Sequence, residues 1–128
     1  MNAIDTNVIA RYLTGDDPEQ YRRATAVIEG SDVFVPTTVL LEAFWLLNKL
    51  YRLKKADALD RLTAFAGLPT VTLEAPDLAA SALDWAKAGL DFADALHLAA
   101  AQDCEAFVSF DRDLLGQAAK LGLAVEAP

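Results

Sequence analysis

The sequence predicts an α/β fold, a parallel sheet covered by helices on both faces, and three observations carry that prediction. Short β-type runs alternate with helical stretches along the whole chain, the pattern that parallel sheets with crossover helices produce. A length of 128 residues is the size of one compact domain, so residues 1–128 are expected to share a single core. With 54% hydrophobic residues there is enough apolar material to build it.

Element by element, Asn2-Ala3-Ile4 reads as a brief opening strand and Thr6 to Leu13 as a helix. Asp17-Pro18 starts the next helix, a capping Asp followed by Pro at the first helical position, and Gly30 closes it. Val33-Phe34-Val35 is a second strand, stopped by Pro36, after which Thr37 or Thr38 is expected to cap a long helix reaching about Tyr51. A further helix follows from about Ala56 to Ala66, and Thr70 to Leu73 forms a third strand. Pro76 to Ala88 is a helix ended by Gly89, and Phe92 to Asp103 is another. Ala106 to Ser109 supplies a fourth strand, Asp111 to Lys120 a short helix and Leu123 to Glu126 a last strand.

Net charge is −8, with 19 acids against 11 bases. Phosphate contacts are normally made by Lys and Arg, so this balance alone argues against nucleic-acid binding. The argument weakens if several acids are metal ligands, because a bound divalent cation reverses the local sign. Lys49, Arg52, Lys54 and Lys55 form a basic run, and Arg11, Arg22 and Arg23 are the next nearest cluster; such runs are commonly solvated helix ends. The longest apolar run, Val39 to Leu47, is interrupted by Glu42 and too short to span a bilayer, and no leader pattern opens the chain. The lone Cys104 reads as a small core residue in a reducing compartment. A cytoplasmic protein without membrane contact is the expectation.

In parallel sheets, ligands bind beyond the carboxyl ends of the strands. Asp5 follows strand one, Asp111 follows strand four, Glu42 lies one turn into the helix after strand two, and Asp94 stands at the front of a late helix. Each also has a plainer explanation. Asp5 before Thr6-Asn7 and Asp111 before Arg112-Asp113-Leu114 both suit helix caps. Asp91 and Asp94 have capping-box spacing; Asp91 reads as the cap, whereas Asp94 interrupts the apolar run Phe92-Ala93-Asp94-Ala95-Leu96. Glu42 shares a helical stripe with Thr38, Lys49 and Arg52, as a solvent-facing stripe would, yet Trp45 on the same stripe suggests partial cover. His97, the single histidine, has no Ser or Cys nucleophile paired to it and reads as structural. With no phosphate-cradling Gly loop and no His/Cys zinc spacing, oxygen-ligand metal chemistry is the main option left.

Taken together, four blocks resemble the PIN-domain ribonucleases, specifically the toxins of bacterial VapBC-type toxin–antitoxin pairs. They are Ile4-Asp5-Thr6-Asn7-Val8, then Thr37-Thr38-Val39-Leu40-Leu41-Glu42, then Asp91-Phe92-Ala93-Asp94-Ala95-Leu96, then Phe107-Val108-Ser109-Phe110-Asp111-Arg112-Asp113-Leu114. They occur in family order and spacing over essentially the whole chain, and Ser109 keeps a hydroxyl where many relatives carry Thr. The resemblance implies a PIN-like fold with a mostly parallel five-stranded sheet, order 3-2-1-4-5. It also implies an RNA substrate, a cognate VapB-type antitoxin and a homodimer.

Clustered carboxylates need a cation: two unit charges ~4 Å apart repel by about 4 kcal/mol at an effective dielectric of 20. Hard oxygen donors favour Mg²⁺ or Mn²⁺. On this reading Asp5, Asp94 and Asp111 hold the metal, and Glu42 binds a second ion or positions water. Thr6, Asn7 and Ser109 orient these carboxylates, and Asp113 supports Asp111. The apolar helices from Val39 to Phe65, with Phe44, Trp45 and Tyr51, are either an antitoxin-docking face or core. The alternative is a non-catalytic PIN-like module that binds RNA or protein.

Overall fold

Three of the five short strands are followed within three residues by a helix start, and this alternation sets the element order. The computed structural model describes residues 1–128. It runs β1 (Asn2–Ala3), α1 (Thr6–Thr14), α2 (Pro18–Gly30), β2 (Val33–Val35), α3 (Thr37–Trp45), α4 (Lys55–Ala66), β3 (Val71–Leu73), α5 (Pro76–Lys87), α6 (Phe92–Ala100), β4 (Phe107–Val108), α7 (Arg112–Lys120) and β5 (Val125–Glu126). The chain divides into two compact units, Met1–Pro76 and Asp77–Pro128.

In the first unit β1, β2 and β3 form a parallel sheet in that order, with Asn2 opposite Val33 and Val33 opposite Val71. The 3-2-1 part of the expected order is therefore present. In the second unit β4 and β5 pair in parallel, Phe107 opposite Val125. A single five-stranded sheet is not what the hydrogen bonding describes. The two strands expected to join the halves, β1 and β4, are two residues long, and their ladders go to β2 and β5.

The first unit buries Ile9, Ile28, Val33, Val35, Leu40, Leu47, Leu59, Leu62 and Phe65 almost completely, a period-2 set from β2 and helical stripes from α1 to α4. Phe44 is buried as well, so most of the Val39–Phe65 surface proposed for docking is core; Trp45 and Leu50 remain exposed. The second unit buries Leu83, Leu90, Phe92, Ala95, Leu96 and Leu114.

Local signals fix most helix ends. Asp17 caps α2 by accepting from the Gln20 N–H at 3.0 Å, with Pro18 in the first turn. Gly15 ends α1 in the left-handed conformation, φ 64°. The start of α3 departs from expectation: Pro36 occupies the cap position with no capping side chain, and Glu74, just past β3, accepts from the Thr37 N–H at 2.9 Å instead. The end of α3 departs too, widening into a π-helical turn over Leu46–Leu50. α6 stops at Ala100 rather than Asp103, and Cys104, expected in the core, is exposed in the turn that follows. No helix is long and apolar enough to cross a membrane.

Candidate metal centre

In the first unit β1 delivers Asp5 to the start of α1, where Oδ1 accepts from the Thr6 N–H at 2.7 Å. The carboxylate thus sits at the positive end of a helix dipole and keeps Oδ2 outside the protein's own hydrogen bonding. Thr6 is 4% exposed, and its hydroxyl donates to Glu42 Oε1. A buried hydroxyl on α1 therefore restrains a carboxylate on α3, and through the Asp5–Thr6 linkage the two acids of this unit are held together. Asn7 makes no bond to either carboxylate; it lines a groove of about 280 Å³ between α1 and α2, with Arg11, Gln20 and Arg23. Arg11 there bonds Gln20 at 2.7 Å and Asp16 at 2.6 Å. Sequence reading noted these arginines as a loose cluster and missed the groove, because it depends on how two helices pack rather than on spacing within one.

The stripe carrying Glu42 faces solvent. Thr38, Glu42 and Lys49 are exposed and Trp45 is 57% exposed, so the partial cover inferred from Trp45 is absent.

In the second unit Asp91 caps α6 by accepting from the Asp94 N–H at 3.1 Å, as its spacing predicted. Asp94, one turn inside, is part-buried and its carboxyl is pushed above the ordinary range. Burial is the main cause and the charges of Asp91 and Asp111 add to it, while His97 opposes them. Asp111 caps α7, its Oδ1 accepting from the N–H groups of Asp113 and Leu114 at 3.0 and 3.1 Å. Ser109 Oγ accepts from the Asp111 N–H at 3.0 Å and so fixes the turn that aims this acid. Asp113 touches Asp111 only through its backbone. His97 is exposed.

The acids come as pairs, Asp5 with Glu42 and Asp94 with Asp111. Neither unit by itself gathers three or more His, Cys, Asp or Glu side chains that could hold a metal ion. The donor set nonetheless suits a hard divalent cation. Asp5, Glu42 and Asp111 each have one carboxylate oxygen engaged and one free, and Asp94 has both free.

No curated protein sequence matches the chain. A solved structure from Mycobacterium tuberculosis, VapC20, described as a sarcin-ricin loop cleaving toxin, is similar at 21% identity over 97% of each chain, with a TM-score of 0.46. The sequence model of the PIN domain matches residues 3–121. That match runs from β1 to the end of α7 and takes in all four acids, so the chain belongs to the PIN domain family.

Proposed function

We propose that this PIN-domain chain is a Mg²⁺- or Mn²⁺-dependent endoribonuclease, the toxin of a type II toxin–antitoxin pair, which hydrolyses RNA phosphodiester bonds. The observation that carries the reading is that Asp5, Glu42, Asp94 and Asp111 each keep at least one carboxylate oxygen free of protein donors. Asp5, Asp94 and Asp111 would hold the ion, directly or through water, and Glu42 would bind a second ion or orient the attacking water. When bound, the cation supplies positive charge against that developing on the phosphate and the leaving oxygen. The chain's own part is positioning. Thr6 restrains Glu42, Ser109 fixes the turn that presents Asp111, and the cap bonds at Asp5 and Asp111 hold those carboxylates at helix starts. Asp113 would support Asp111, and Asn7 would help to orient the Asp5 carboxylate. The raised Asp94 carboxyl is of the kind found where charge awaits a counter-ion. A cognate VapB-type antitoxin, a homodimer and a cytoplasmic location belong to the same proposal.

Purified protein and end-labelled RNA test it. Cleavage is expected with Mg²⁺ or Mn²⁺ and is expected to disappear with excess EDTA and in Asp5→Asn. Undiminished cleavage in either case refutes the metal mechanism. The other reading is a non-catalytic module that binds RNA or protein; calorimetric titration with Mn²⁺ separates the two, since such a module takes up little metal.

A further inference from the structure

We infer that the exposed face of α3 beyond Glu42 is a single-strand RNA track, with Trp45 as a stacking platform for a base and Lys49, Arg52 and Lys54 as phosphate contacts; this rests on the proposed RNA hydrolysis. Glu42 and Trp45 are one turn apart on α3, and Lys49 lies one further turn along the same stripe. A tryptophan 57% exposed is unusual for a residue that ordinarily contributes its large apolar area to a core. Leu50, beside it, is 66% exposed.

The charges around it select the occupant. Four of the chain's 11 bases fall within residues 49–55, in a chain of net charge −8. Lys49, Arg52 and Lys54 are exposed, and none of the three is in a salt bridge. Arg52 is the only non-glycine residue with positive φ, 58°, in the left-handed turn that closes this helix, where the Leu53 N–H donates to the Leu47 carbonyl. An aromatic face flanked by unpaired cations fits unstacked bases and their phosphates, the pattern by which single strands are bound. A second copy of the chain fits poorly, because an isologous contact would set these cations against their own counterparts.

The track begins one turn from a proposed catalytic acid, so a base stacked on Trp45 would register the neighbouring phosphate toward Glu42. Trp45 would thereby influence where the strand is cut.

The test uses the full chain in EDTA at low salt with a fluorescein-labelled oligoadenylate decamer, read by anisotropy. Trp45→Phe should bind like the parent, while Trp45→Leu should lose about tenfold in affinity. With Trp85→Phe as background, Trp45 emission should be quenched on binding. Arg52→Gly supplies a variant that cannot fail merely by misfolding: it should melt higher than the parent, through relief of the positive φ, yet bind more weakly with a shallower salt dependence. Equal affinity of Trp45→Leu and the parent overturns the inference. So does no binding by the parent, or a change in oligomeric state at unchanged affinity. Cleavage assays with Mg²⁺ keep the two readings apart. Binding through Trp45 without any cleavage refutes the hydrolase and leaves the track, whereas cleavage with a KM insensitive to Trp45→Leu refutes the track and leaves the hydrolase.

Discussion

The hydroxyl of Thr6 gives the proposed site its sharpest test, because it can be removed almost without changing shape. Thr6 is 4% exposed at the first position of α1, and its hydroxyl donates to Glu42. Thr6→Val keeps the volume and the β-branch but deletes the donor. A hydrogen bond to a charged group contributes about 1.5–3 kcal/mol. Glu42 is exposed, however, so water replaces the lost donor, and the added buried methyl contributes about 0.8 kcal/mol in the opposite direction. The net change is expected within about 1 kcal/mol, a shift of roughly 3–5 °C in Tm for a chain of this size. Thr6→Ser does the reverse, keeping the donor and losing a methyl, which destabilises by about 1 kcal/mol. The two variants should therefore be close in stability and far apart in activity. Loss of a group that orients a ligand costs about 10–100-fold, so Thr6→Val should fall by that factor in kcat while Thr6→Ser stays near the parent. Thermal melts and a single-turnover cleavage assay on labelled RNA read both quantities. Equal activity of the Val and Ser variants would refute the idea that Thr6 acts by restraining Glu42.

The remaining predictions concern the second unit. Asp94→Asn should stabilise the metal-free protein near neutral pH. The Asp94 carboxyl is raised in the fold, first by burial and then by Asp91 and Asp111, so the ionised form opposes folding. That opposition is absent below the ordinary carboxylate range and grows as pH rises through the raised value; the gain from Asn should vanish on acidification, and melts across pH check it. Asp111→Asn retains an acceptor for the Asp113 and Leu114 N–H groups and should keep its stability while losing cleavage. Asp111→Ala should in addition lose about 1 kcal/mol of cap, measured by urea titration. Gly89→Ala should destabilise by about 1–2 kcal/mol, because φ is 127° and the new Cβ would lie 2.9 Å from Gln117 Oε1. An unchanged midpoint would mean that this turn relaxes freely.

What was legible in the sequence was local. Asp17-Pro18, Asp91 and Gly30 mark helix boundaries by chemistry confined to a few residues, and the structure places those boundaries where the chemistry indicates. What was illegible came from contacts between distant segments. No pattern near Thr37 announces that Glu74, 37 residues away, will cap α3 in place of a threonine. The apolar count could not show which of Phe44 and Trp45, adjacent in sequence, turns inward, since that depends on where α3 rests against α1 and α4. Pairing between β1 and β4 was a family expectation that no two-residue strand could advertise.

In the sequence, cap and ligand are competing explanations for Asp5 and Asp111, and the geometry removes the competition. A capping carboxylate needs one oxygen on a backbone N–H; a hard cation needs the other. At both positions Oδ1 is engaged and Oδ2 is not. The cap then does more than tolerate the second task. It fixes the rotamer of a short side chain at the start of its helix. Asp94 lacks such a cap bond, and burial, with the charges of Asp91 and Asp111, pushes its carboxyl toward protonation. In the second unit the proposed ligands would thus be one carboxylate pre-set by its helix, Asp111, and one whose ionisation waits on the cation, Asp94. Metal affinity should accordingly be more pH-sensitive in the parent than in Asp94→Asn, and a calorimetric titration that finds the same pH dependence in both would refute this division of labour.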